Sequence, residues 1–305
     1  MKHLLGMRFL EREEIEAILD QAEAFKEILE RPIKKVPTLR GKSVANLFFE
    51  PSTRTKLSFE MAAKRLSADT VGISKTTSSV VKGEDLIDTV KNIKAMKTDC
   101  FVIRHASSGA PHMIARHLDC PVINAGDGTN EHPTQALLDC LTIKERFGDF
   151  KGLNVVIVGD ILHSRVARSD LMALTKLGAT CSVSGPATML PPYVEEVLGA
   201  RRIYDIKEAV READCIICLR IQRERLGDLP LFPSVREYAS FFGIFPEVLE
   251  YAPPESVIMH PGPINRGVEL DPGLADSDRS LILDQVTNGV AVRMAVLVML
   301  LAQNN

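Results

Sequence analysis

At 305 residues the chain is long for one core and comfortable for two α/β domains of roughly 150 residues each. Its 45% hydrophobic and 25% charged residues are an ordinary globular balance, and a net charge of −3 argues against a nucleic-acid binder, which usually carries a basic excess. An anion pocket is still allowed, because local arginines set the field in a cleft.

No secretory signal is evident in Met1–Gly6, which leads straight into a charged helix. That helix is expected over 9–30, where Ile15, Ile18, Leu19, Ala22, Phe25, Ile28 and Leu29 repeat at helical spacing until Pro32 and Pro37 break it. Alternating units follow: strand Val44–Phe49, helix 53–67, strand Thr70–Ser74, helix 84–96, strand Cys100–Ile103, helix 110–117, strand Val122–Asn124 and helix 133–147. A second series holds strand Asn154–Val158, helix 165–177, and strands Thr180–Val183, Asp214–Leu219 and Val257–Met259, with a last helix over 281–302. Strands alternating with helices imply two doubly wound, parallel-sheet α/β domains with a cleft between them. The boundary is placed at Lys151–Leu153, giving domains 1–148 and 149–289, with the C-terminal helix 290–305 returning to the first.

The apolar stretch Val290–Ala302 contains Arg293 and falls short of the roughly 20 residues of a membrane span, so a buried or interfacial helix is expected and no membrane partner. Cysteines 100, 120, 140, 181, 215 and 218 lie in apolar surroundings and read as buried free thiols in a reducing cytoplasm. Cys215 and Cys218 have redox-motif spacing, but positions three apart on a strand face opposite ways.

Ser52-Thr53-Arg54-Thr55 ends a strand and opens a helix, where unpaired N–H groups, hydroxyls and a guanidinium suit a phosphate dianion. Ser52 can equally be a plain cap with Arg54 solvated. Arg104 follows a strand at the end where open α/β sheets bind ligands. His132 precedes Pro133 at a helix start, where the positive dipole keeps the imidazole neutral and able to polarise a carbonyl; mere capping is the alternative. The loop Thr76–Glu84, with Ser78, Ser79 and Lys82, can close over an anion or be an ordinary loop.

Val155–Asp160 suggests a dinucleotide strand, but the following residues lack the required glycines. Arg165 stands there instead, favouring a carboxylate, and Arg168 competes with it. Arg220 and Gln222 end another apolar strand and offer a second carboxylate site. His260-Pro261-Gly262-Pro263 forms a turn whose carbonyls can accept from an NH2 group. No paired metal-ligand spacing, phosphate-loop lysine motif or nucleophile elbow is present, so neither metal nor cofactor is expected.

Taken in order, Ser52–Thr55, Arg104-His105, His132–Gln135 and His260–Pro263 resemble the aspartate/ornithine carbamoyltransferase family over nearly the whole chain. Lys82-Gly83-Glu84, Arg220-Ile221-Gln222 and His-Pro-Gly-Pro resemble its aspartate branch. The ornithine branch typically has His-Cys-Leu-Pro and Ser-Met-Gly, both absent here. The resemblance implies transfer of a carbamoyl group from carbamoyl phosphate to L-aspartate in pyrimidine synthesis, by a cytoplasmic homotrimer with shared active sites. It implies Ser52, Thr53, Arg54, Thr55, Arg104, His132, Gln135, Gly262 and Pro263 on carbamoyl phosphate. Arg165, Arg220, Gln222 and Lys82 would hold aspartate, with Ser78 and Lys82 entering from the adjacent subunit. Regulatory chains or a dihydroorotase are possible partners. Alternatives are transfer to ornithine or another amino acid, and a catalytically silent anion-binding regulatory subunit.

Overall fold

A computed structural model describes residues 1–74, 85–221 and 234–302. The chain divides into two compact units, Met1–Leu141 with Thr287–Asn305, and Thr142–Val286. The chain passes between them inside two helices, α5 (Pro133–Phe147) and the C-terminal helix Ile282–Leu301.

The first unit holds a parallel four-stranded sheet in the order β2-β1-β3-β4, from β1 (Ser43–Phe48), β2 (Asp69–Ser74), β3 (Cys100–His105) and β4 (Val122–Asp127). Leu4 bridges Ile123 in parallel and extends the β4 edge by one residue. Helices α1 (Arg12–Glu30), α2 (Thr53–Arg65), α3 (Leu86–Ala95) and α4 (Ala110–Ala115) alternate with the strands. Ala45, Leu47, Phe101, Ile103 and Val122 build one core with Val90 and Ile93 of α3 and Ile114 of α4. Strands buried on both faces read as unbroken apolar runs, which is why the sequence pattern located them.

The second unit holds a parallel five-stranded sheet in the order β7-β6-β5-β8-β9. Its strands are β5 (Asn154–Val158), β6 (Thr180–Ser184), β7 (Ala200–Arg202), β8 (Cys215–Cys218) and β9 (Val257–Met259). Helix α6 (Arg165–Leu177) ends on Gly178 at φ 100°, the left-handed cap that glycine adopts without strain. A second core gathers Val156, Val158, Ile216, Ile258 and Ile244.

Two expectations need correction. The C-terminal helix has 20 residues and is long and apolar enough, by length and composition, to cross a membrane, where the sequence pattern suggested a shorter stretch. Most of that length is nevertheless buried inside the protein. The N-terminal helix starts at Arg12 rather than residue 9, because Met7–Phe9 forms a short 3₁₀ turn. All six cysteines are buried and free.

Candidate active site

In the first sheet the chain runs outward from β1 to β2, then returns to place β3 on the other side of β1. The crevice between the carboxyl ends of β1 and β3 is therefore a topological switch point, where open α/β sheets bind ligands. Phe48 pairs with Arg104 in register, and Phe49 N–H donates to the Arg104 carbonyl at 2.9 Å. This fixes the Phe49–Ser52 turn directly beside Arg104. The Arg104 guanidinium, largely buried, donates from Nη2 to Glu50 Oε1 at 2.8 Å and from Nη1 to the Ala125 carbonyl at 3.1 Å.

Ser52 occupies the N-cap of α2 with extended backbone, yet its side chain makes no capping hydrogen bond. Thr53 and Arg54 are exposed at the first turn, Ser52 is half-buried, and Thr55 is buried. Hydroxyls, a guanidinium and the N–H groups of a helix start thus stand together at the switch point.

β4 delivers the third piece. Asp127 is fully buried and shapes the turn by accepting from Gly109 N–H (2.6 Å), Asn124 Nδ2 (2.8 Å), Asn130 Nδ2 (3.0 Å) and Glu131 N–H (3.2 Å). Glu131, also fully buried, accepts from Met7 N–H and from Arg8 Nε at 2.8 Å. These contacts present His132, whose carbonyl accepts from Gln135 N–H at 2.9 Å as the first bond of α5. Its imidazole is 4% exposed. Gln135, in the first turn, directs Nε2 at both Asp139 oxygens, 3.0 and 3.2 Å away. Its amide oxygen is thereby turned away from that carboxylate as an acceptor.

The second unit repeats the logic. Its switch point lies between β5 and β8, because β6 and β7 extend to one side and β9 to the other. Gly159 follows β5 at φ 132°, and a Cβ there would lie 3.0 Å from Leu219 Cβ and 3.2 Å from the Leu219 carbonyl. This glycine serves a close approach of the two strand ends, not a pyrophosphate. Ser164 caps α6 by accepting from Ala167 N–H at 3.1 Å, leaving Arg165 as the first helical residue, 3% exposed, and Arg168 half-buried one turn on. Arg220 stands just past β8, and the neighbouring Ile221 carbonyl accepts from Asn265 Nδ2 at 3.3 Å.

After β9, His260 is almost fully buried and its backbone N–H donates to Gln285 Oε1 at 2.9 Å. Gly262 N–H donates to His260 Nδ1 at 2.7 Å, so Nδ1 is an acceptor and Nε2 carries the proton. That Nε2–H points at Glu269 Oε1, 3.1 Å away, which also accepts from Asn265 N–H at 2.6 Å. One carboxylate therefore pins both ends of the turn. Gly262 has φ 61° and joins Pro263 by a cis peptide bond.

Each unit thus assembles its own set: Ser52–Thr55, Arg104, His132 and Gln135 in one, Arg165, Arg220 and the 260–263 turn in the other. Ser78, Ser79, Lys82 and Gln222 lie outside the described residues. Sequence reading missed Glu50, Glu131, Asp139 and Glu269, which hold the site rather than face it. Only Asp139 left a local signal, as a Gln–Asp pair at helical i,i+4 spacing. Among the described residues no group of three His, Cys, Asp or Glu side chains is arranged to hold a metal.

Residues 2–145 match the family model "Aspartate/ornithine carbamoyltransferase, carbamoyl-P binding domain", and residues 151–300 match its "Asp/Orn binding domain". The aspartate carbamoyltransferase catalytic subunit of Desulfotalea psychrophila is 56% identical over 99% of this chain and 95% of its own length. That of Geobacter sulfurreducens is 57% identical over 97% and 95%. Among solved structures, aspartate transcarbamoylase from Trypanosoma cruzi in complex with carbamoyl phosphate superposes with a TM-score of 0.90 at 30% identity, covering 98% of this chain and 96% of that one. Ornithine carbamoyltransferase from Pyrococcus furiosus gives 0.88 at 29%, covering 100% and 98%. On these matches, which span both units, the chain belongs to the aspartate/ornithine carbamoyltransferase family.

Proposed function

We propose that this protein transfers the carbamoyl group of carbamoyl phosphate to L-aspartate, giving N-carbamoyl-L-aspartate and phosphate for pyrimidine synthesis. The observation that carries the reading is the placement of a separate cationic set at the switch point of each sheet, Arg54 and Arg104 in one, Arg165 and Arg220 in the other. The fold alone does not select the acceptor, since aspartate and ornithine enzymes superpose almost equally well, at 0.90 and 0.88. The 56–57% identical relatives carry the aspartate name, and two arginines suit a dicarboxylate better than ornithine's distal cation.

In this mechanism the first set, with the Gly262–Pro263 backbone, holds carbamoyl phosphate, and the second, with Gln222 and Lys82, holds aspartate. The neutral aspartate amine attacks the carbamoyl carbon, and Thr55, Arg104 and His132 stabilise the resulting oxyanion. One such donor is worth about 3 kcal/mol. The C–O bond to phosphate then breaks, and the departing phosphate takes the amine proton, so no side-chain base or cofactor is required. Holding both reactants in attack geometry supplies about 7–11 kcal/mol of the remainder. A cytoplasmic homotrimer, with Ser78 and Lys82 reaching a neighbour's site, completes the reading, with regulatory chains or a dihydroorotase as further partners.

A side-by-side assay tests it. With carbamoyl phosphate present, aspartate should yield ureido product at a rate at least about 100-fold above ornithine, as expected when a site built for one charge pattern meets another. Equal rates, or product from ornithine alone, would reassign the acceptor. Binding without any ureido product would make this a silent subunit.

A further inference from the structure

We propose that Asp139 determines donor specificity by positioning: it locks the Gln135 amide so that Oε1 accepts from the donor's NH2, and the site thereby selects a carbamoyl over an acetyl group. This rests on the reading of the first unit's set as the carbamoyl phosphate site.

A glutamine amide has ends of nearly equal shape and opposite hydrogen-bonding sense, so an unconstrained Gln135 could present either N–H or oxygen to a ligand. Asp139 removes that freedom. It lies one helical turn along α5, is 1% exposed, and both its oxygens take Gln135 Nε2. Only the NH2 end can face an ionised carboxylate, which accepts and never donates. The outward end is then the oxygen, the correct partner for a carbamoyl NH2 and the wrong one for a methyl.

A buried carboxylate needs a cation to offset its lost hydration. Arg293 of the C-terminal helix lies near enough for its charge to feel Asp139. Its guanidinium is buried, donates from Nη1 to Ser58 Oγ of α2 at 3.0 Å and to the Gly289 carbonyl at 2.8 Å, and sits 5.1 Å from the centroid of the Phe59 ring. Burial pulls the Arg293 pKa down to about 10, opposed by the charge of Asp139, so the group stays cationic at neutral pH. Arg293 therefore ties the C-terminal helix to α2 by a hydrogen bond and interacts with Asp139 of α5 through its charge.

Two phosphonates that differ in one group test the idea by calorimetry: phosphonoacetamide, with NH2 beside its carbonyl, and acetonylphosphonate, with CH3 there. A buried acceptor left unpaired disfavours the methyl ligand, so the wild type should prefer the amide on the order of 10-fold or more. Asp139→Asn should lose most of that preference by weakening the amide ligand alone, leaving acetonylphosphonate within about two-fold. In a Gln135→Met background, Asp139→Asn should not change the ratio further. An Asp139→Asn protein that keeps the wild-type ratio, or weakens both ligands equally, overturns the proposal. Should it fail to fold, Asp139→Glu, which keeps the charge but moves the oxygens by one methylene, is judged by the same ratio. A wild type with no preference and no carbamoyl transfer would instead remove the carbamoyl phosphate reading, and this proposal with it.

Discussion

Of the serines at helix N-caps in this chain, Ser52 and Ser164 do different work. Ser164 accepts from Ala167 N–H and closes the start of α6, while Ser52 leaves the start of α2 uncapped by its side chain. Both look alike in sequence, as residues before an apolar-periodic segment. What separates them is backbone detail that no residue pattern encodes. The candidate site residues were legible from their chemistry: Arg54, Arg104, His132 and Arg165 carry it wherever they stand. Their supports were not, because Glu131 and Met7 are brought together across 124 positions by the fold alone. That contact gives a sharp test. Gly6 has φ −178°, ordinary extended backbone, so alanine there is not strained by its dihedrals. An added methyl would instead overlap the Glu131 carboxylate. Gly6→Ala should push that buried carboxylate off Met7 N–H and Arg8, lowering stability by about 2 kcal/mol. Because Glu131 directly precedes His132, turnover should fall as well. A melting temperature and kcat both equal to wild type would show that the N-terminal segment does not hold the histidine.

Elements were readable in proportion to how completely they are buried. The central strands β1, β3, β5 and β8 are mostly apolar, with Asn46 a buried polar exception, and the sequence placed each within two residues. β7 escaped notice because Ala200-Arg201-Arg202 is a three-residue edge strand with two charged side chains. The short helices Val194–Leu198, Ile206–Ala209, Pro246–Leu249 and Pro272–Ala275 escaped because none spans two turns, too little for a periodic signal. The C-terminal helix posed the opposite problem. From residue 290 on it is so apolar that its buried arginine looked like a flaw in a hydrophobic run rather than a charge that feels Asp139. Gly289 marks the crossing. Glycine inside a helix costs about 1 kcal/mol against alanine, so it is kept for space. A Cβ there would lie 2.6 Å from Arg293 Nη1 and 3.2 Å from Leu138 Cδ2. Gly289→Ala should therefore destabilise by about 1–3 kcal/mol despite its better helix propensity, because the guanidinium is already held by Ser58 and cannot withdraw freely. Urea denaturation reads this directly, and a stabilised variant would mean the helix can shift to admit the methyl.

Across the whole molecule, burial of thiols in both units makes stability depend on alkaline pH. Burial pushes Cys181 up to about 12 from an ordinary value of 9.0, and pushes Cys100, Cys120 and Cys218 up as well. Cys100 belongs to the first unit, Cys181 and Cys218 to the second. Each group has a folded pKa above its unfolded one, so its contribution is complete below pH 9 and is lost as pH rises toward 12. In that window the unfolded chain sheds thiol protons that the folded chain keeps, and the linkage slope is negative. Between pH 9 and 10 Cys100, Cys181 and Cys218 should each remove about 1 kcal/mol, some 3 kcal/mol together, with Cys120 adding in the same direction. Tyr238, held well above 10.0 by burial, begins to add its loss as pH approaches 10. Arg293 acts in the opposite direction, because its folded value of about 10 lies below the ordinary 12.5 and the unfolded chain binds the extra proton between them. From pH 9 to 10 the onsets of Tyr238 and Arg293 oppose each other, so the cysteines dominate the interval. Urea midpoints should fall across it, and Cys181→Ala should remove about a quarter to a third of the fall, since Cys120 also contributes beside the three deeply buried thiols. A midpoint that stays level from pH 9 to 10, or a Cys181→Ala slope equal to wild type, would mean that these thiols ionise as freely in the folded protein as in the unfolded chain.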